Sequence, residues 1–293
     1  MEQIYNKIYE AINTGIQKAL VLDDEDDISI IYQHKKISNN FNIDKLLQER
    51  QDEYKKLIEN KDFQGCFNLY NSEYLHFEKQ TIGYKVRSKE ELQKLVNNVN
   101  IYYNKNDNFD LNWIDVSAIT DMSELFMNLH YFNCDISKWD VSNVKNMSYM
   151  FYYCKKFNAD LSQWDVSNVE DMCEMFAYCQ EFNADLSQWN VSNVKDMSFM
   201  FDNCEKFNAD LSQWDVSNVE DMQGMFWNCP IFNSDLSKWE VSKVKNMSNM
   251  FAFCREFNSD LSGWNVLKVD SFNDTFFQSS LKNENKPKFK YLI

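Results

Sequence analysis

Tryptophan recurs with a strict 25-residue period from Trp139 to Trp264, and this period constrains the fold more than any other feature of the chain. We call each 25-residue copy a unit and name it by its tryptophan. Around each tryptophan the same pattern is repeated, reading F-N-A/S-D-L-S-x-W-D/N/E-V-S-N/K-V-K/E-D/N-M-x-x-M-F-x-x-C. A unit of this size cannot bury its own apolar face, so the units must stack on one another.

The spacing within a unit predicts one short strand followed by one short helix. In the Trp164 unit, the segment from Leu161 to Val169 reads L-x-x-W-x-V-x-x-V. Its apolar residues alternate with polar ones as they do in a short strand and the residues that flank it. Met172, Met175, Phe176 and Cys179 then lie at i, i+3, i+4 and i+7, which is one face of a short helix. We therefore predict an α/β repeat solenoid that resembles the leucine-rich repeats.

The predicted domains follow from where the repeat begins and ends. About seven units occupy residues 113–280, with a degraded last copy, and residues 281–293 form a C-terminal tail. Residues 1–84 do not repeat and show helical apolar patterns over 2–20, 43–59 and 62–77, which predicts a mainly α-helical N-terminal region. In residues 85–112, Ser88 and Glu91 form a capping box that opens a helix to about Val99 and leads into the first unit.

The repeated motif W-D-V-S-N-V-x-x-M-x-x-M-F resembles that of the BspA-like leucine-rich-repeat surface proteins of bacteria. The resemblance covers about residues 85–280. It implies a leucine-rich-repeat fold and a surface protein or lipoprotein that adheres to host or microbial partners. The segment Met1–Leu20 is interrupted by Glu2, Glu10 and other polar residues, so it lacks the apolar core of a signal peptide. We therefore expect a cytoplasmic protein, with the cell surface or secretion as the alternative that the resemblance implies.

Composition narrows the classes of partner. The net charge of −15 disfavours nucleic acid, because phosphate binding depends on clustered Lys and Arg. No run approaches the ~18 apolar residues of a membrane span, so none is expected. The three histidines stand in no motif, and neither G-x-S-x-G nor G-x-x-x-x-G-K occurs. We expect no enzymatic activity and no cofactor; the low-ranked alternative is an enzyme housed in the N-terminal region.

Two repeated residue types could carry chemistry. One cysteine per unit, from Cys154 to Cys254, could form disulfides or a metal array, but no Cys-x-x-Cys pair occurs, and small buried core residues are the preferred interpretation. One aspartate per unit, from Asp135 to Asp260, could bind calcium, but its F-N-A-D-L-S context favours a turn in which the side chain accepts from nearby backbone. We therefore expect no metal site.

The positions around the Met-Phe pair vary between units while the rest of the motif does not. Variation on a fixed frame is where a repeat protein places recognition, and Tyr and Trp are favoured at interfaces. The alternative is drift at solvent-facing positions. On this reasoning the sequence predicts a protein-interaction scaffold for a macromolecular partner. The candidate partner-binding residues are Tyr149, Tyr152, Tyr153, Tyr178, Phe199, Trp227 and Phe253.

Overall fold

The computed structural model describes residues 18–22, 28–32, 84–102, 111–112 and 114–290. The chain divides into two compact parts, Met1–Tyr84 and Lys85–Ile293. We call the second part the repeat domain. Trp113, at which the first copy was predicted to begin, lies outside the described residues.

Residues 18–22 and 28–32 of the first part are two strands. Strand β1, Lys18–Leu22, pairs antiparallel with strand β2, Ile28–Tyr32, in a register that places Leu20 opposite Ile30. The helix predicted over 2–20 is therefore wrong at residues 18–20. The sequence ISIIY of β2 is rich in β-branched residues, and pairing with such a strand outweighs the helical spacing of the isoleucines. The rest of that prediction, and the helices predicted near 43–59 and 62–77, lie outside the described residues.

A helix covers the N-terminal end of the stacked units. Helix α1, Lys89–Tyr102, begins directly after Ser88, whose Oγ accepts a hydrogen bond of 3.2 Å from the backbone N–H of Glu91. Gln93 Nε2 donates to the Leu125 carbonyl at 2.8 Å. The equivalent carbonyl of later units accepts from the preceding unit, so Gln93 replaces the donor that the first unit lacks. A short strand β3, Tyr84–Lys85, pairs with β4, Ile114–Asp115.

Each unit is joined to the next by a ladder of backbone hydrogen bonds. In the Trp164 unit, alternate N–H groups, those of Met172, Glu174, Phe176 and Tyr178, donate to carbonyls of the Trp189 unit at 2.7–3.0 Å. A column of parallel β-bridges runs along the same edge. The bridged residues are Asp121, Asn146, Asp171, Asp196, Asp221, Asn246 and Ser271.

The strand and the helix predicted for each unit are both absent from residues 116–280, which contain turns and single β-bridges. The Met-x-x-Met-Phe segment cannot be helical, because its alternate N–H groups bond to the next unit instead of to carbonyls four residues back. The predicted strand is instead two turns, closed by bonds from Trp164 N to the Leu161 carbonyl (3.1 Å) and from Val169 N to the Val166 carbonyl (2.9 Å). The α/β description of the unit is corrected accordingly.

The core consists of aromatic columns that run through the stack. Phe201 is fully buried, and its ring lies 5.7 Å from those of Phe176 and Phe226 in the two adjacent units. The indole N–H of each repeated tryptophan, from Trp139 to Trp264, donates to a leucine or isoleucine carbonyl of the preceding unit, as Trp189 does to Leu161 at 3.0 Å. The inward residues of the Met segment are also fully buried, so the prediction of which side chains form the core is confirmed although the element is not a helix.

The chain after residue 280 covers the last unit. Phe289 is 4% exposed and stacks on Phe272 with ring centroids 4.5 Å apart. A 3₁₀ helix, Asn283–Asn285, follows Leu281, and the Asn285 carbonyl accepts from the backbone N–H of Leu261 at 2.8 Å. This segment closes the apolar end of the stack.

Candidate partner-binding surface

Two positions of every unit from Trp139 onwards have a left-handed backbone, the tenth and fourteenth residues after the tryptophan. In the Trp139 unit these are Tyr149 (φ 58°) and Tyr153 (φ 64°). This conformation costs roughly 1–2 kcal/mol for most residues and less for Asn, Asp or Gly. The residues at these positions are Tyr149, Tyr153, Glu174, Tyr178, Phe199, Asn203, Gly224, Asn228, Asn249, Phe253, Asp274 and Gln278.

These two positions, together with the thirteenth residue after the tryptophan, form what we call the variable surface. All seven candidate residues from the sequence belong to it, and all seven are half-buried. Their rings lie against one another rather than standing free in solvent. The structure brings them together in three groups along the stack, and the predicted role in binding stays a prediction.

The largest group is the tyrosine cluster, formed by Tyr149, Tyr152, Tyr153 and Tyr178. The ring of Tyr152 lies 5.8 Å from Tyr149, 5.9 Å from Tyr153 and 5.6 Å from Tyr178, centroid to centroid. Tyr153 and Tyr178, at equivalent positions of adjacent units, are 5.0 Å apart. Lys155 Nζ lies 4.8 Å from the centroid of the Tyr153 ring, so one ring of the cluster makes a cation–π contact within the chain.

Two carboxylates accompany the tyrosine cluster, and sequence reasoning missed both. Glu174 accepts a 3.1 Å hydrogen bond from the Tyr149 hydroxyl. Asp202 is 4% exposed and accepts from Asn203 Nδ2 at 2.6 Å. Burial, reinforced by the charge of Glu174, raises the pKa of Asp202 to about 7, and the Asp202 charge in turn raises the pKa of Tyr178. Their positions in the sequence could have identified them, because both residues occupy variable-surface positions of consecutive units.

The second and third groups hold aromatic pairs. The ring of Phe199 lies 6.2 Å from that of Trp227 in the next unit. A Cβ on Gly224 would lie 2.3 Å from Phe199 Cε1, so the glycine makes room for this ring and suits the left-handed backbone, φ 57°. Phe253 meets Phe277 edge to face at 5.4 Å. Phe277, 47% exposed, was also missed, because the last unit departs from the motif.

The repeated aspartates make local turn contacts. In the Trp189 unit, Asp185 Oδ1 accepts from the backbone N–H of Ser187 at 2.9 Å, and this bond lowers the pKa of Asp185. Asp210 and Ser212 repeat the contact at 2.9 Å in the next unit. The predicted turn role is confirmed, and one oxygen of each carboxylate is committed to it.

Two further repeated features join neighbouring units: the asparagine after the first phenylalanine of the motif, and the residue six positions after the tryptophan, which alternates between Lys and Glu from Lys145 to Lys245. The backbone N–H of Asn183 donates to Asn158 Oδ1 at 2.8 Å, and Asn183 Oδ1 accepts in the same way from Asn208. Lys195 forms an ion pair with Glu170 of the preceding unit at 2.5 Å. Such exposed pairs contribute little energy.

The repeated cysteines are buried thiols that donate hydrogen bonds. Cys204 is fully buried, and its Sγ lies 3.0 Å from the Phe176 carbonyl of the preceding unit. Burial raises the pKa of Cys204 well above its usual range and that of Cys254 to about 12, so both stay protonated. The prediction that they are small buried core residues is confirmed, and the hydrogen bond to the preceding unit is an addition that sequence did not show. Cys66 lies outside the described residues.

The residues that the structure describes contain neither a metal-binding cluster nor a membrane-spanning helix. No group of three or more His, Cys, Asp or Glu side chains is arranged to hold a metal ion there. Within the same residues, no helix has the length and apolar character needed to cross a membrane.

The stacked, hydrogen-bonded units define the chain as a repeat protein with a constant frame and a variable outer surface. The profile of the family described as "Mycoplasma protein of unknown function, DUF285" matches residues 90–210 and 184–289. The chain belongs to this family. Neither a curated protein nor a solved structure matches the chain.

Proposed function

We propose that the repeat domain is a leucine-rich-repeat-like solenoid that binds a protein partner through its variable surface and has no enzymatic activity. In this function the three aromatic groups form one recognition surface. The N-terminal part of the chain, residues 1–84, is outside this proposal.

The backbone of the variable surface carries the proposal. Five of the seven candidate aromatic residues have positive φ, including Tyr178 at 63° and Phe253 at 65°. Other units place Asn203, Asn228 or Asn249 at the same positions, where asparagine fits this backbone better. Bulky residues kept in a strained conformation that a simpler residue would relieve point to function.

The rest of each unit supports a division between side chains that hold the stack together and side chains that are available to a partner. Its tryptophan, cysteine, asparagine and aspartate side chains each make a hydrogen bond within the stack. Those groups are therefore committed to the frame. The half-buried aromatic rings are the large side chains that a partner could still desolvate, and such rings dominate many interfaces.

The proposed binding function takes one of two forms, depending on where in the cell the protein is located. In the first, the chain is a cytoplasmic scaffold; in the second, it is an adhesin of the surface, which the resemblance to BspA-like proteins favours. Fractionation of the native cells separates them. Recovery of the chain in the cytoplasmic fraction supports the scaffold, and labelling of intact cells by a membrane-impermeant reagent supports the adhesin.

Replacing Trp227 by alanine tests the proposed surface. Alanine is the native residue at the equivalent position in two other units, Ala177 and Ala252, so the frame should accept it. Removing a central aromatic anchor should weaken binding at least about tenfold, which is 1.4 kcal/mol or more. The full chain serves as bait in an extract of the native cells, and the affinity for the recovered partner is then measured for both forms.

The matched control is the double substitution Asp185→Asn with Asp210→Asn. Asparagine keeps the Oδ1 atom that accepts from Ser187 and Ser212, so both folding and affinity should stay unchanged. Binding that is insensitive to Trp227→Ala but sensitive to the control would place recognition at the repeated aspartates and end the proposal.

A further inference from the structure

The tyrosine cluster and its two carboxylates form one acidic, aromatic group. Tyr149 donates to Glu174. The charge of Glu174 raises the pKa of Asp202, and a hydrogen bond from the Tyr178 side chain lowers it. Among the described residues, neither Glu174 nor Asp202 takes part in an ion pair. Carboxylates without an ion-pair partner beside ring faces attract a positive group, and Lys155 already lies over the face of Tyr153.

We propose that this acidic tyrosine cluster binds an arginine side chain of the protein partner. The inference rests on the proposed function and adds the chemistry of one contact. Lys155 above Tyr153 shows that a ring of the cluster accepts a cation in this geometry. The net charge of −15 adds a general attraction for a basic partner segment.

Arginine fits better than the other cations that ring faces attract. Glu174 is half-buried and is the acceptor that a ligand can reach, whereas Asp202, 4% exposed, adds its charge. The ligand must therefore bring N–H donors, which a quaternary ammonium group lacks. A guanidinium group is planar, stacks on aromatic rings and can donate two parallel bonds to a carboxylate. The lysine ammonium is more strongly hydrated and cannot stack in this way.

The proposed contact has a pH dependence of defined sign. Burial raises the pKa of Asp202 to about 7, and the groups that act on this carboxylate are Glu174, Tyr178 and Asn203. Below this pH the carboxylate is protonated and offers less charge to the cation. Binding should therefore strengthen as the pH rises through 7, and the dependence should vanish in Asp202→Asn.

The test uses the full chain with isotope-labelled tyrosine rings and a short peptide with blocked termini whose only charged residue is one arginine. Two companion peptides carry lysine or citrulline, the neutral isostere, in its place. We expect saturable shifts of the tyrosine signals with the arginine peptide, a Kd several-fold higher with lysine and no saturation with citrulline. Equal shifts with citrulline would overturn the proposal, since charge would then have no role.

Two variants locate the contact. Glu174→Gln combined with Asp202→Asn should raise the Kd at least tenfold, and an unchanged Kd overturns the proposal. If that variant unfolds, Tyr152→Ala replaces it, because Ala177 and Ala252 occupy the same position in other units. The matched control is Phe253→Asn, an aromatic position three units along the stack, which should leave the Kd unchanged.

The outcomes separate this inference from the proposed function. If Trp227→Ala weakens capture of the partner but the arginine peptide does not saturate, the recognition surface stands and the arginine contact is wrong. If the peptide binds as expected but the captured partner is insensitive to every variable-surface substitution, the cluster is a cation site and the proposed recognition surface is wrong.

Discussion

Single residues of the variable surface reveal a conflict between backbone and side chain. Tyr178 has φ 63°, a conformation that asparagine adopts at the same position in the next two units. Its ring nevertheless packs against Tyr152 and Tyr153. The sequence identified Tyr178 as variable and aromatic, but the left-handed backbone that makes this choice costly could not be read from it, because the motif contains glycine there in no unit.

Tyr178→Asn should leave the free energy of unfolding within about 2 kcal/mol of the parent value. Relief of the left-handed backbone gains ~1–2 kcal/mol, and loss of each of the two ring contacts costs about 0.5–1.5 kcal/mol. Tyr178→Val is the control, since it loses the same ring and adds a β-branched residue with positive φ. Denaturant titration should rank valine below asparagine, and the reverse order would show that the backbone is not strained.

The repeated cysteines should resist alkylation in the native protein. Burial raises the pKa of Cys254 to about 12, so the reactive thiolate is a minute fraction at neutral pH and increases only as the pH approaches that value. Mass spectrometry of non-reduced protein should show no pairs among the repeated cysteines and no label on them. The same reagent after unfolding is the control. Native-state disulfides among Cys154, Cys179, Cys204, Cys229 and Cys254 would contradict this reading.

At the scale of the element, the period of the sequence identified the core but not the backbone that presents it. Met172, Met175, Phe176 and Cys179 are all buried, as their spacing predicted. A helix and a series of tight turns both return a side chain to the same face every three or four residues. What decides between them is the bonding to the next unit, which no single unit of sequence contains.

Packing between units should make the middle of the stack more sensitive than its end. Phe201 contacts rings in both neighbouring units and is fully buried, so Phe201→Ala should cost about 3–5 kcal/mol. Phe276, half-buried in the last unit, has Phe251 at 5.8 Å and the weaker contact of Phe289 at 6.4 Å, so Phe276→Ala should cost less. Equal losses in denaturant titrations would contradict stacking as the source of stability.

Across the whole repeat domain, both ends of the stack are covered by segments outside the repeat. Helix α1 supplies Gln93 at the first end, and Phe289 packs on Phe272 at the other. Sequence predicted a helix before the first unit and treated residues 281–293 as a tail. The sequence did not predict that the tail folds back onto the last unit. The stacking of Phe289 on Phe272 depends on the apolar face that the last unit presents.

Removing the Phe289 ring should loosen the last unit and leave the first units unchanged. In a stack each unit contacts only its neighbours, so a defect at one end propagates weakly. Phe289→Ala should therefore speed hydrogen exchange at amides whose carbonyl partners lie in the Trp264 unit, such as Met247 and Phe251, while Met122 and Phe126 keep their protection. Leu267→Ala, at a side chain 70% exposed in the same unit, is the control and should change neither set. Uniformly faster exchange along the whole domain would mean that the units unfold as one block, and the picture of nearest-neighbour stability would be wrong.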